Sequence, residues 1–140
     1  MITLKEVTED EKKILWNMMQ KYLYEMTQYY PDEMDENGNY QYRYFDDYFT
    51  ETERKAYFIL NDRTFVGFAM LNPYSYINHR PDLVISEFCI FPSYRKKHLA
   101  SEAAQMILDL HAFIILMMKK QSWNFQINKR SCPTRLPNGF

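Results

Sequence analysis

Cysteine is scarce in this chain. Cys89 and Cys132 are its two cysteines. That is too few for a disulfide framework or a zinc site, and a reducing cytoplasm is the simplest setting to expect. Three dispersed histidines without paired cysteines suggest no metal site. The longest apolar run, Ala112 to Met118, falls far short of the roughly 20 residues that a membrane span needs. No basic-then-apolar leader opens the sequence. Neither sign of charge dominates: 17 Lys and Arg face 18 Asp and Glu, for a net charge of −1. The total charge therefore gives no reason to expect nucleic acid or an acidic membrane as partner. Repeats and low-complexity tracts are absent too.

What is present is a globular composition. The 140 residues fit one domain with a real core, and they are 46% hydrophobic and 25% charged. Aromatic residues are heavy at 17%, with 12 Tyr and 10 Phe. So many tyrosines suggest a core with polar tips or an open aromatic groove, and the core explains most of them. Cys89 lies inside an apolar run, where a small buried thiol is the usual outcome.

Periodicity sets out the elements. Ile2 to Val7 alternates as a half-buried strand. Thr8 and Glu11 have capping-box spacing before a helix with Leu15, Met18, Met19, Tyr22, Leu23 and Met26 on one face. That helix is expected to end near Tyr30-Pro31. An acidic loop with Asn37-Gly38 follows, then a short aromatic helix within Tyr40 to Thr52 carrying Tyr44, Phe45, Tyr48 and Phe49. Ala56–Leu60 and Phe65–Leu71 read as a hairpin around Asn61-Asp62-Arg63. Asn72 to Pro81 reads as a loop. Leu83 to Phe91 is apolar at nearly every position, as in a central strand covered on both faces. Leu99, Ala103, Met106, Ile107 and Leu110 mark a last helix. The class is α/β in the α+β sense: helices on a mixed, largely antiparallel sheet.

Residues 91–104 concentrate the functional signal. A strand stops at Pro92, turns through Arg95, Lys96, Lys97 and His98, and enters a helix. Unpaired N–H groups at that helix start, aided by the helix dipole, make a ready site for an anion such as phosphate.

The stretch Ile85-Ser-Glu-Phe-Cys-Ile-Phe-Pro-Ser-Tyr-Arg-Lys-Lys-His-Leu-Ala resembles the GNAT superfamily of acetyl-CoA-dependent N-acetyltransferases. Their hallmark is Arg/Gln-x-x-Gly-x-Gly/Ala after the fourth strand. Arg95 fills its first position and Ala100 its last, while His98 stands at the usual glycine. Element order matches over about residues 1–111. Gln20-Lys-Tyr-Leu-Tyr-Glu-Met, Asn37-Gly38, Tyr57-Phe-Ile-Leu and Phe65-Val-Gly-Phe-Ala are similar to a bacterial subgroup known as predicted acetyltransferases.

The resemblance implies an acetyl-CoA core at 1–111, with 112–140 as a divergent C-terminal segment of the same domain. It implies direct attack of a primary amine, on a small molecule or a peptide, at the thioester. It places Phe88, Cys89 and Ile90 along the pantetheine arm, with a main-chain N–H near Cys89 as oxyanion donor. Arg95, Lys96, Lys97, His98, Leu99 and Ala100 then hold the pyrophosphate. His98 carries a Cβ and is expected to keep an ordinary helical φ, its ring pointing outward.

Glu87 is the candidate base. It sits among apolar neighbours, on the same strand face as Ile85 and Cys89, where a carboxylate is expected to have a raised pKa. A structural Glu bonded to a neighbouring strand or to Tyr is the alternative. Tyr74 and Tyr76 are candidates to line the acceptor groove, or else pack a loop. The acidic, aromatic stretch from Tyr29 to Glu36 suits a cationic amine, or is simply solvated. Many family members protonate the thiolate with a late Tyr, and this chain has none after Tyr94.

The tail beyond Asp109 carries five basic and no acidic residues. It reads as a divergent terminus, as a changed reading frame or gene end, or as a basic flap over a ligand phosphate. Homodimer formation is an open expectation. Two other functional classes remain: CoA binding without catalysis, and nucleic-acid binding through Arg95 to Lys97 and the tail. The near-neutral charge and acidic first half speak against the latter.

Overall fold

A computed structural model describes residues 1–74 and 81–111, with side chains for 1–73 and 84–111. The elements run β1 (Ile2–Glu6), α1 (Lys12–Met26), α2 (Asp47–Thr50), β2 (Lys55–Asn61), β3 (Thr64–Tyr74), β4 (Pro81–Ile90) and α3 (Leu99–Leu110). Among the described residues the strands form one antiparallel sheet in the order β1-β2-β3-β4. The expected order of elements is thus observed. The divergent C-terminal segment expected at 112–140 lies outside the described residues.

The capping signal at Thr8 starts a 3-10 turn, Glu9–Glu11, that runs directly into α1. Glu11 reaches back to the Thr8 N–H at 3.2 Å. All six predicted apolar positions, Leu15 through Met26, are buried. The helix stops at Met26, four residues before Tyr30, because nothing buried follows: Tyr29 and Tyr30 are exposed. The chain then returns across α1. Gln20 pins it with two bonds at Tyr40, accepting from its N–H at 2.7 Å and donating to its carbonyl at 2.8 Å. The aromatic segment is mostly turn, with one helical stretch of 4 residues, yet Tyr40, Tyr42, Phe45 and Tyr48 are buried beneath it.

The hairpin turns at Asp62, whose φ of 57° is one that Asp tolerates better than most residues. Strands β3 and β4 run further than expected, to Tyr74 and from Pro81. Gly67 is required where they meet. A Cβ there would sit 1.9 Å from the Cys89 carbonyl oxygen.

Two cores flank the sheet. The α1 face buries Tyr22, Tyr42, Phe45, Tyr48, Phe58, Phe68 and Cys89 with the apolar stripe of α1. The α3 face buries Ile2, Ile59, Val66, Leu71, Ile85 and Ile90 against Leu99, Ala103 and Ile107. Each fully buried large side chain contributes about 1.5–3 kcal/mol. Leu110, expected on the buried face of α3, is exposed at its last turn.

Candidate functional site

β4 is the edge strand of the described sheet. Its register pairs Cys89 with Phe68 and Glu87 with Met70. The Phe91 N–H donates to the Val66 carbonyl at 2.9 Å. Alternation along an antiparallel pair then turns the polar groups of Ile90 and Phe88 towards the other edge. The Ile90 carbonyl indeed points there, accepting from Arg95 Nε at 2.6 Å. The outer edge therefore presents the N–H groups on either side of Cys89.

The loop after β4 departs from helical backbone twice. Lys96 has φ of 64° and His98 has φ of 60°. The expectation of a helical φ at His98 is corrected here: the residue caps α3 in the left-handed region, with its ring exposed. The reason is geometric. The chain must reverse sharply from the short 3-10 turn Pro92–Tyr94 into α3. Glycine meets that demand freely, whereas a residue with a Cβ pays roughly 1–2 kcal/mol. Residues 96–98 form a bend whose N–H groups make no main-chain hydrogen bond among the described residues. The first intrahelical bond runs from the Glu102 N–H to the His98 carbonyl at 3.2 Å. Among the described residues, the amides from Lys96 to Ser101 thus stand without main-chain partners at a helix start.

A cleft of about 320 Å³ opens over these amides, lined by Ile90, Tyr94, Arg95, Lys96, His98, Leu99, Ala100 and Ser101. It gathers six of the residues that the sequence nominates. Lys97 is exposed beside it, and Phe88 and Cys89 stay on the strand. Tyr94 is an addition that sequence reasoning missed. The Arg95 guanidinium is engaged by Glu25 of α1, at 2.8 and 2.7 Å.

Glu87 is fully buried. Tyr22 of α1 donates to its Oε2, and Tyr42 donates to Oε1 at 3.2 Å. Burial first, and then the Glu87 carboxylate, push the Tyr22 phenol well above its usual range, so it remains a donor. Glu87 does not share a face with Ile85, contrary to expectation. Met70 pairs with Glu87 but Leu71 pairs with Ile85, which leaves Ser86 as an extra residue in β4. This bulge turns Ser86 and Glu87 to the α1 face together. Ser86 is held there by Tyr48, 2.6 Å away, and donates to the Met70 carbonyl at 3.0 Å.

Tyr74 is described only as backbone, at the end of β3, and Tyr76 lies outside the described residues. Asp35, in the acidic loop, bonds the amides of Asn37 and Asn39 at 2.8 and 3.0 Å, which makes it a turn former. A larger cleft of about 500 Å³ opens at the start of α1 around Trp16 and Phe45, and none of the nominated residues lines it. No group of residues able to hold a metal occurs among the described residues, and no described helix is long and apolar enough to cross a membrane.

A strand edge with outward amides, followed by a loop and helix start whose amides have no main-chain partners among the described residues, gives this α/β domain a set of donors of the kind an anion suits. The sequence model of the acetyltransferase (GNAT) family matches residues 16–114, and the chain belongs to that family. Membership makes it an acetyl-CoA-dependent N-acetyltransferase by class. The fold is similar to that of ribosomal-protein-alanine N-acetyltransferase from Brucella melitensis biovar Abortus 2308, at 11% identity over 81% of this chain and 74% of that one, TM-score 0.59. It is also similar to a predicted acetyltransferase with acetyl-CoA from Clostridium acetobutylicum, at 13% identity over 80% and 74%, TM-score 0.56. Spermidine N-acetyltransferase from Vibrio cholerae, in complex with CoA and spermine, matches at 18% identity over 82% and 65%, TM-score 0.51. No curated protein matches by sequence.

Proposed function

We propose that the protein transfers the acetyl group of acetyl-CoA to a primary amine of a small molecule or peptide, by direct attack on the thioester. The observation that carries this reading is the run of amides from Lys96 to Ser101, without main-chain partners among the described residues, beside the outward edge of β4. Converging main-chain donors suit a pyrophosphate with little side-chain entropy to lose. Leu99 and Ala100 begin the helix that faces it, and Lys96 and Lys97 add exposed positive charge. The outward groups of Phe88 and Ile90 suit the amide-bearing arm, with Cys89 packed behind them on the α1 face.

In the reaction the amine nitrogen forms a bond to the acetyl carbon while the carbon–sulfur bond breaks. One proton leaves the nitrogen and one reaches the thiolate. An outward N–H beside Cys89 stabilises the oxyanion. Glu87 takes the amine proton through Tyr42 or a water molecule, and the tyrosine donors orient its carboxylate. The acceptor is assigned no further than a primary amine, because likenesses at 11–18% identity carry the fold alone.

A second reading, CoA binding without transfer, is favoured by the complete burial of Glu87 between two tyrosines. Two measurements separate the readings. Calorimetry with CoA is expected to show one site, and a thiol-release assay over polyamines, amino acids and peptides is expected to show turnover. Binding without turnover supports the second reading, and absence of CoA binding by folded protein overturns both.

A further inference from the structure

We propose that Glu25 of α1 is a positioning residue for the loop at Lys96–His98, acting through Arg95. None of the loop's N–H groups makes a main-chain bond among the described residues, and the loop holds two side-chain-bearing residues at positive φ. Such a shape is imposed from its ends. The downstream end is fixed by Leu99 and Ala103, buried against the sheet. The upstream end is fixed by Arg95, and Arg95 is fixed by Glu25.

The geometry of that tie is specific. Arg95 Nη1 donates to Glu25 Oε2 at 2.8 Å and Nη2 to Oε1 at 2.7 Å. Its Nε donates to the Ile90 carbonyl at 2.6 Å. The flat guanidinium therefore presents one side to a carboxylate and its Nε to the end of β4, a two-pronged arrangement that lysine does not reproduce. The pair is mostly withdrawn from solvent, with side-chain exposures of 15% for Arg95 and 25% for Glu25. It joins three elements: the last turn of α1, the outer edge of β4 and the start of the loop. Arg95 is thus a brace, and contact with an anion falls to the loop amides and the exposed lysines. By occupying the Ile90 carbonyl, it also leaves that position of the strand edge with its N–H as the available group.

This inference deepens the acetyl-CoA reading of the same site, and its test separates the two. In ligand-free protein, the couplings and chemical shifts of Lys96 and His98 report their positive φ by NMR. Glu25→Ala is expected to move both residues out of that region while α1 keeps its helical shifts. Unchanged loop signals overturn the tether whether or not CoA binds. With CoA in calorimetry, Glu25→Ala is expected to weaken affinity about tenfold, as loss of a charged hydrogen-bonded partner implies. The KM for acetyl-CoA rises in step, with kcat and the KM for the amine unchanged. The same substitution in an Arg95→Ala background is expected to add nothing, because the two residues act as one unit. Full additivity, or a lowered Tm with CoA affinity intact, overturns the proposal. A wild type that binds no CoA, but whose loop signals respond to Glu25→Ala, keeps the tether and sinks the acetyl-CoA reading.

Discussion

The two faces of the sheet are built from different chemistry. The α3 face is a seam of Ile2, Ile59, Val66, Leu71, Ile85 and Ile90 against Leu99, Ala103 and Ile107. Its buried members are aliphatic except Tyr57, whose hydroxyl lies 2.9 Å from His111 Nε2, so shape has to match almost everywhere. The α1 face buries a carboxyl group, three tyrosine hydroxyls and a serine: Glu87, Tyr22, Tyr42, Tyr48 and Ser86. Buried polar groups cost stability unless each finds a partner. One face therefore contributes cohesion, and the other spends some of it to hold a carboxylate in one orientation.

Substitutions sharpen that contrast. The largest effect is expected at Gly67, which serves both faces by letting β3 and β4 close. In Gly67→Ala the new Cβ meets backbone at 1.9 Å, so the strands must part. A loss of about 4–5 kcal/mol or more is expected by chemical denaturation, at the severe end for single substitutions. Glu87→Gln comes next. The amide keeps an acceptor for a tyrosine, so the fold survives, while kcat is expected to fall about 10²–10⁴-fold in a thiol-release assay if Glu87 is the base. An unchanged kcat assigns Glu87 to structure. Ile107→Ala on the opposite face is expected to show the reverse pattern: about 2–5 kcal/mol lost in denaturation, with kcat per folded molecule retained.

Smaller effects fall on the loop. His98→Gly removes the strain of a left-handed residue but loosens the unfolded chain, so a net gain of up to about 1 kcal/mol is expected. CoA affinity rises or holds. A fall in Tm beyond error contradicts the strain at His98. The smallest effect is pH dependence at Glu25. Hydrogen bonds from Arg95 hold its carboxyl below the ordinary 4.5, against a smaller opposing contribution from burial. A carboxyl whose folded pKa is depressed stabilises fully above its unfolded value and loses that contribution as pH falls through the folded one. The Tm difference between wild type and Glu25→Gln is therefore expected to be constant near neutrality and to shrink below pH 4.5.

Much of this contrast is legible in the sequence, because it follows from period. The stripe of α1 from Leu15 to Met26 and the start of α3 at Leu99 are read off spacing, and the structure buries both. Glu87 stands out as a charged residue within an apolar strand. Its face does not follow from counting by two, because the extra residue, Ser86, changes the phase between Ile85 and Glu87. No local signal marks such a bulge. Tyr42 and Glu25 are hidden for a different reason. Their partners lie 45 and 70 residues away, and only the folded topology brings them together. The left-handed φ of His98 was obscured because histidine does not announce it, whereas a glycine there would have.

One turn of α1 now carries more weight than its length suggests. Tyr22 and Glu25 are three residues apart and so lie on one flank of the helix. The first touches the carboxylate proposed to receive the amine proton, and the second touches the arginine proposed to brace the loop at Lys96–His98. On the proposed reading, the donor and acceptor ends of the reaction are thereby geared to a single rigid lever. A small roll of α1 about its axis displaces both at once. Compensation within the site alone does not restore one without disturbing the other, so the packing of Leu15, Met19 and Leu23 against the sheet sets the tolerance to which the whole site is built.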